Sequence, residues 1–324
     1  MSTPLVSVIM PVYNTERFVG ASLKSILEQR YSKLQIVVVN DGSTDGSEER
    51  IRAFDDPRIV YLSQANCGVS SALNTALRTA TGSLIARQDA DDISAPERIA
   101  EQVQHFQNNP HTVILGTWGS YLTGHFAPDS ELERPTTDAA IRFAMLFDSP
   151  FVSTSVMFRS SALALTGGFD SSQQVWDDYD MWSRLVAVGK AANLPERLVQ
   201  YRVVGSGLTR TNTRSVDWVM EQRRRNIATA IPDFPKDLME PYVRMGIDHP
   251  VVPVGTLLRL RTEFLRYIDS ITDDASERDQ LHDRLRALLM SCRIVPHHSL
   301  LHRMFDHLAK RKALLGSTRY GHAQ

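Results

Sequence analysis

Carboxylates occupy most of the positions where this chain could do chemistry. Asp89, Asp91 and Asp92 lie within four residues, directly after the apolar run Ser83–Gln88. Acids packed that closely repel one another unless a cation or hydrogen bonds compensate. In extended backbone Asp89 and Asp91 face one side and Asp92 the other. Hard oxygen ligands at a strand end suit Mg²⁺ or Mn²⁺ shared with a diphosphate. The alternative is a solvated acidic turn, with Asp92 or Ser94 capping a helix that starts at Pro96. Asp41 follows Val37-Val38-Val39, where an acid can accept from a uracil N–H or a ribose hydroxyl. The alternative there is a Gly-rich turn, with Asp45 capping the next helix. Pro11-Val12-Tyr13-Asn14 closes the first apolar run. Proline cannot donate to a ladder, so a flat base could lie against Val12 and Tyr13, or the segment is an ordinary strand-to-helix turn.

A last group is Trp176-Asp177-Asp178-Tyr179-Asp180-Met181-Trp182-Ser183-Arg184-Leu185. Helical spacing puts Asp178 on the face of Met181, Trp182 and Leu185, over an apolar floor. Desolvation there can raise a carboxyl pKa and make it a general base. Asp177 is turned away by ~100° on a helix, so only one of the pair addresses a given substrate atom. The alternative is a capped amphipathic helix with solvated acids. Neither G-x-G-x-x-G after the first strand nor G-x-x-x-x-G-K-[ST] is present, which argues against a dinucleotide-dependent oxidoreductase and a P-loop NTPase. The Asp41 segment lacks the alternating acids of a calcium loop.

These residues need elements to hold them. Leu5–Val12, Leu34–Asn40, Arg58–Ser63, Ser83–Gln88 and Thr112–Thr117 are short, Val- and Ile-rich runs bounded by turn residues, the pattern of strands covered on both faces. Between them Glu16–Gln29, Val69–Thr79 and Pro96–Phe106 show helical periodicity. The alternation predicts an α/β fold, a mostly parallel sheet with helices on both faces and ligands beyond the C-terminal strand ends. After residue 214 the pattern turns all-helical over Val216–Ala230, Leu257–Ile271, Glu277–Met290 and Ser299–Leu315. We therefore expect a catalytic domain over 1–214 and a helical region over 215–324, the latter making acceptor, membrane-surface or oligomer contacts.

Composition narrows the class. The 324 residues are 42% hydrophobic and 23% charged, ordinary for a globular chain. The 36 Lys+Arg against 37 Asp+Glu leave −1, so no global field favours nucleic acid. Two cysteines, Cys67 and Cys292, exclude a disulfide scaffold and fit a reducing cytoplasm. No apolar run reaches the ~18 residues of a membrane span, and the N-terminus reads as a strand.

Taken in order from Leu5 to Gly205, the segments SVIMPVYN, VVVNDGSTD, NCGVSSALNTAL, ARQDADDISAPERI, STSVMFRSSAL and GGFD with WDDYDMWSRL resemble the inverting GT-A glycosyltransferases of family 2. That resemblance implies the GT-A, Rossmann-like fold. It implies that Pro11, Val12, Tyr13 and Asp41 hold a nucleotide base and ribose, and that Asp89 contacts the ribose or sugar. Asp91 would bind Mn²⁺ or Mg²⁺, and Asp178 would be the base, with Asp177 in place of the family's Glu. Trp176, Asp177 and Arg202 are placed on the acceptor side. Two family histidines are absent: Phe151-Val152-Ser153-Thr154 precedes Ser-Val-Met-Phe, and Val203-Val204-Gly205 follows Tyr201-Arg202. A third protein ligand to the metal is therefore unassigned.

The implied function is metal-dependent transfer of a hexose from a nucleotide diphosphate sugar, UDP-linked in the first instance. The acceptor would be a hydroxyl of a glycan or lipid-linked saccharide in bacterial surface polysaccharide synthesis. A polyprenyl-phosphate sugar transferase and a non-catalytic sugar-nucleotide or glycan-binding module are the alternatives. The basic amphipathic stretch Ser299–Leu315, with Arg303, Lys310, Arg311 and Lys312, suits an anionic membrane surface or a second subunit. The expected setting is cytoplasmic, peripheral at the inner membrane face.

Overall fold

Strands as uniformly apolar as the first two can be buried only in a sheet covered on both faces. The computed structural model describes residues 3–122, 131–172, 177–203, 215–247 and 251–294. Its main sheet is formed by β1 (Val6–Val12), β2 (Leu34–Asp41), β3 (Ile59–Gln64), β4 (Leu84–Arg87), β5 (Ile93–Ser94), β6 (Thr112–Leu122), β7 (Glu131–Leu132), β8 (Met157–Arg159) and β9 (Lys190–Arg202). The strand order is β3-β2-β1-β4-β8-β6-β9-β5, with β7 against β6. β1 runs parallel to β2 and β4, and β2 to β3. β8 is antiparallel to both β4 and β6, and β9 parallel to β6. The C-terminal ends of β1, β2, β3, β4 and β9 therefore share one edge with the start of β8.

Side-chain alternation divides the core. Val8, Met10, Ile36 and Val38 pack on one face with Val19, Leu23 and Ile26 of α1 (Val19–Leu27) and Ile99, Val103 and Phe106 of α4 (Arg98–Asn108). Ile9, Val37, Val39 and Ile85 face the other way, against Ala72, Leu73 and Ala76 of α3 (Val69–Thr79). Short helices α2 (Ser47–Arg52), α5 (Asp138–Ala144) and α6 (Leu163–Thr166) connect the layers. On the α3 face also lies α7 (Asp177–Val188), whose fully buried Trp182 packs on Phe158 and Phe169 with ring centroids 6.0 and 5.8 Å away.

The expected strands match those observed to within a residue or two at most ends, except that β6 runs on to Leu122. The long β9 carries no clear sequence signal, because Pro195 and the exposed Glu196 and Arg197 interrupt it; its register with β6 shifts in the same region. α8 (Ser215–Ala230) differs from expectation in its allegiance. It belongs to a first compact unit spanning Met1–Pro232, the second being Asp233–Gln324, so the division falls after 232 and not after 214. The reason is a polar face: Arg223 Nε donates to Phe147 O at 2.8 Å and Asn226 Nδ2 to Met145 O at 2.8 Å. Those carbonyls belong to the segment just after α5, so the helix is tied to the first unit.

The second unit is built from α9 (Lys236–Val243), α10 (Val254–Ile271) and α11 (Ala275–Met290), with the two-residue strands β10 (Val251–Val252) and β11 (Arg293–Ile294) paired. Phe234, Tyr242 and Phe264 cluster at centroid distances of 5.6 to 6.0 Å. Asp274 caps α11 through Glu277 N. Among the described residues no helix is long and apolar enough to cross a membrane; Ser299–Leu315 lies outside them.

At the entry to β4, Gly82 is wedged against β1. A Cβ there would meet Ser7 N at 2.6 Å and Leu5 O at 2.7 Å, both backbone. Gly82→Ala must push apart the strands that place Asp89, and a loss of about 1–3 kcal/mol in unfolding free energy is expected. Urea denaturation checks this, and an unchanged midpoint would contradict it.

Candidate active site

The shared strand edge begins with two loops that brace each other. Asn14, in the left-handed region at φ 50°, accepts from Thr44 N through Oδ1 at 2.8 Å and donates its own N–H to Ser43 Oγ at 3.0 Å. Thr15 N donates to Ser47 Oγ and Glu16 N to Asp45 Oδ2. Asn14 and Thr15 thus serve the neighbouring loop and do not cap α1, which has no side-chain cap. Asp45 accepts from Ser47 N at the head of α2, as its turn sequence predicts. Pro11 pairs with Val39, but β4 stops pairing with β1 at Ile9, so the proline has a strand neighbour on one side only. Val12 is buried and Tyr13 is 48% exposed, leaving the aromatic ring free to meet a ligand.

Asp41 is buried and carries more structural duty than the sequence suggests. Oδ1 accepts from Gln64 Nε2 at 2.7 Å and Cys67 N at 3.0 Å, and Oδ2 from Gly68 N at 2.8 Å. It shapes the loop leading into α3. A carboxylate has about four lone-pair positions, and these donors take three of them.

The aspartate loop hangs on a buried polar network. Gln88 Nε2 donates to Ser22 Oγ at 3.1 Å and Asp92 O at 2.9 Å, while its Oε1 accepts from Ser94 Oγ and Arg98 Nη1. Arg98, fully buried, also donates to Arg87 O at 2.6 Å. Burial pulls its pKa down to about 9, with the charges of Asp89 and Asp92 opposing that fall. Asp92 does not cap α4. It turns inward, accepting from Arg202 N at 2.7 Å, and burial followed by the charges of Asp91 and Asp89 holds it well above the usual carboxylate range. Ser94 likewise serves Gln88 and Arg98.

Asp89 and Asp91 remain half-buried. Asp89 N donates to Thr154 Oγ1, and its Oδ1 accepts from Arg87 Nε at 2.8 Å. Asp91 is pushed up to about 6, first by burial and then by the charge of Asp89, against the pull of Arg202 and Arg87. Two repelling carboxylates with hard oxygens at a ligand-facing edge fit a divalent cation, which would relieve that repulsion. Among the described residues no group of three or more His, Cys, Asp or Glu side chains could hold a metal. Arg202, expected on the acceptor side, lies at these acids: Nε donates to Asp91 O at 2.9 Å and its guanidinium stacks over Phe18 at 4.4 Å.

Across from them stands the first turn of α7. Asp177 is 5% exposed and its Oδ2 lies 3.8 Å from Arg87 Nη1. Burial raises its pKa to about 6, because an ion pair that long offsets only part of the desolvation. Asp178 is half-buried and accepts from Tyr179 N at 2.8 Å. Tyr201, at the end of β9, feels Asp92, Asp89, Asp91 and Asp178, and burial together with those charges pushes its hydroxyl well up. Trp176 lies outside the described residues. Sequence reasoning passed over Arg87, Thr154 and Tyr201; a cation ending the apolar β4 run was the available signal for the first.

The family model described as "Glycosyl transferase family 2" matches residues 7–164. An uncharacterized glycosyltransferase of Haemophilus influenzae is 31% identical over 274 residues, spanning 79% of this chain and 80% of that protein. Among solved structures, Staphylococcus aureus TarS 1–349 in complex with UDP-GlcNAc superposes with a TM-score of 0.61 at 16% identity, covering 89% of each chain. The mannosyltransferase PcManGT of Pyrobaculum calidifontis, in complex with GDP-Man and Mn²⁺, gives 0.54 at 22% identity over 90% of this chain and 86% of that one. At such identities the structural likeness establishes the GT-A fold.

A carboxyl whose folded pKa lies above its unfolded value stabilises the fold fully below that unfolded value, and the contribution is lost as pH rises through the folded pKa. For Asp91 the window runs from 3.8 to about 6. Asp91→Asn is therefore expected to melt higher than the unsubstituted protein at neutral pH in EDTA, with a shallower loss of stability across that window. Parallel melting curves of the two proteins would contradict the assignment.

Proposed function

This chain belongs to glycosyltransferase family 2, and from that premise we propose that it moves a hexose, with inversion, from a UDP-sugar to a hydroxyl of a glycan or lipid-linked saccharide in bacterial surface polysaccharide synthesis. The observation that carries the reading is the Arg87 guanidinium at the C-terminal edge of the sheet, which holds Asp89 Oδ1 at 2.8 Å and lies 3.8 Å from Asp177 Oδ2, the residue beside Asp178. Glycosidic transfer by inversion needs a held diphosphate on one side and a base on the other, and that arrangement supports both.

Val12 and the exposed Tyr13 ring offer the base a flat apolar contact beside Pro11. The free lone pair of Asp41 would accept from the uracil N–H or a ribose hydroxyl, and Asp89 from the ribose or the sugar. Asp178 removes the acceptor hydroxyl proton as the oxygen attacks the anomeric carbon opposite the diphosphate, so no enzyme nucleophile is needed. Asp91, with diphosphate oxygens, would hold Mn²⁺ or Mg²⁺, which supplies Lewis-acid stabilisation of the leaving diphosphate. Arg202 is better assigned to steadying the aspartate loop than to the acceptor. Residues 299–315 remain a candidate for contact with a membrane or a second subunit by their sequence alone.

Incubating the protein with a panel of nucleotide sugars, with and without Mn²⁺, and reading slow donor hydrolysis identifies the donor without knowledge of the acceptor. With that donor, Asp178→Asn is expected to lower turnover by about 10²–10⁴-fold, the usual share of a general base, while UDP still binds. Near-normal turnover would remove Asp178 from the role and favour a phosphate acceptor, which arrives already ionised. Asp91→Ala should weaken Mn²⁺-dependent UDP binding by calorimetry; an unchanged affinity would place the cation elsewhere.

A further inference from the structure

We propose that Arg87 is a positioning residue for the transfer reaction: its single guanidinium fixes the distance between the donor-side carboxylate Asp89 and Asp177, the neighbour of the base. This rests on the reading of Asp178 as the base. Arg87 closes β4 with its side chain only 8% exposed. Nε holds Asp89 Oδ1 at 2.8 Å, and Nη1 faces Asp177 Oδ2 at 3.8 Å. Burial works against its charge, but Asp89, Asp177 and Asp178 together outweigh that and hold it more firmly protonated than an ordinary arginine.

The backbone under this side chain is fixed from both directions. Arg87 N donates to Val156 O at 2.8 Å, and Arg87 O accepts from Arg98 Nη2 at 2.6 Å. Arg98 is no substitute, since its guanidinium is spent on Gln88, Ser94, Gln102 and that carbonyl. Among the described residues Arg87 is the cation paired with Asp177. The apolar contacts of Tyr179, Met181, Trp182 and Leu185 seat α7 on the sheet, and the Tyr179 hydroxyl donates to Met145 O at 2.8 Å, which holds the first turn to the segment after α5. Arg87 is the side chain that faces both this turn and Asp89: it is hydrogen-bonded to Asp89 and at ion-pair distance from Asp177, with no hydrogen bond to the latter. A planar fork can address two carboxylates in set directions, whereas a lysine ammonium is a point charge on a flexible stem. In the proposed role the fork keeps Asp177, and with it the neighbouring base, at a set spacing from Asp89 through one hydrogen bond and one ion pair.

The test uses the full chain, hydrolysis of the sugar nucleotide that the donor panel selects, UDP calorimetry and thermal melting. Arg87→Lys is expected to lower kcat about tenfold or more while the Kd for UDP and the donor KM stay within about threefold, the split of an interaction needed in the transition state. Asp177→Asn should do the same, and the double variant should be within about threefold of the poorer single one, because both changes cut one link. Asp177→Glu keeps the charge and is one methylene longer, so it can close the 3.8 Å gap and should retain turnover; it also serves if Arg87→Lys does not fold. A lower Tm with unchanged kcat per folded molecule would mean that Arg87 only neutralises buried charge, and the proposal would be overturned. Losses that multiply in the double variant would overturn it too. Normal turnover in Asp178→Asn would instead sink the base assignment, leaving the Arg87–Asp177 coupling to be judged by its own cycle.

Discussion

Too much negative charge in too little water is the condition to which the rest of this site answers. Asp89, Asp91, Asp92 and Asp177 all sit at or under one sheet edge, and burial raises Asp91 and Asp177 to about 6 and Asp92 well above the usual range. Charges so placed are costly, and the donors around them offset that cost only in part: Asp177 Oδ2 and Asp92 Oδ2 are buried without a hydrogen bond. Arg87 meets Asp89 and Asp177, the Arg202 N–H meets Asp92, and Arg98 pins the loop from below through Gln88 and the Arg87 carbonyl. A buried network of this kind has few alternative arrangements, which is how a loop of acids becomes a rigid one.

The two adjacent acids at the head of α7 show the same condition dividing labour. Neighbouring helical residues point ~100° apart, so Asp177 and Asp178 cannot both meet one atom. Asp177 turns inward to Arg87, and Asp178 stays half-buried beside Tyr179 N. Of the two, Asp177 is the one that is buried, at 5% exposure. The face shared with Met181, Trp182 and Leu185 was inferred correctly as apolar, yet the deeper carboxylate is the one nearer the strand bearing Arg87. What decides burial at a helix start is the element opposite, and that is a tertiary fact.

Much of the architecture was nonetheless legible. The first two strands and α3 were readable because unbroken Val/Ile runs and a clean helical stripe each permit one solution in a two-sided sheet. Asp91 at the strand edge followed from the apolar run before it. Pairings through space were hidden: Thr154 under Asp89 N, Tyr201 among four acids, and Arg223 reaching Phe147 O. The last of these misled the boundary. A change to all-helical pattern marks where strands cease, whereas α8 carries a polar face that belongs to the first unit. Asp92 and Ser94 also look like caps in sequence, since nothing local announces that Arg202 and Arg98 will claim them.

The engagement of Asp89 by Arg87 bears on how a cation would be held under the proposed function. Mg²⁺ and Mn²⁺ favour about six oxygen ligands and give up water reluctantly. Among the described residues the protein offers no set of three metal-capable side chains, and part of the Asp89 carboxylate is already engaged by Arg87. A cation at Asp91 would thus depend on diphosphate oxygens for much of its coordination. The nucleotide in turn lacks a glycine-rich cradle and would depend on the cation. Each then strengthens the other's binding by the same factor, as linkage requires. Under the proposed function the acid cluster would be half of a site whose second half arrives with the donor.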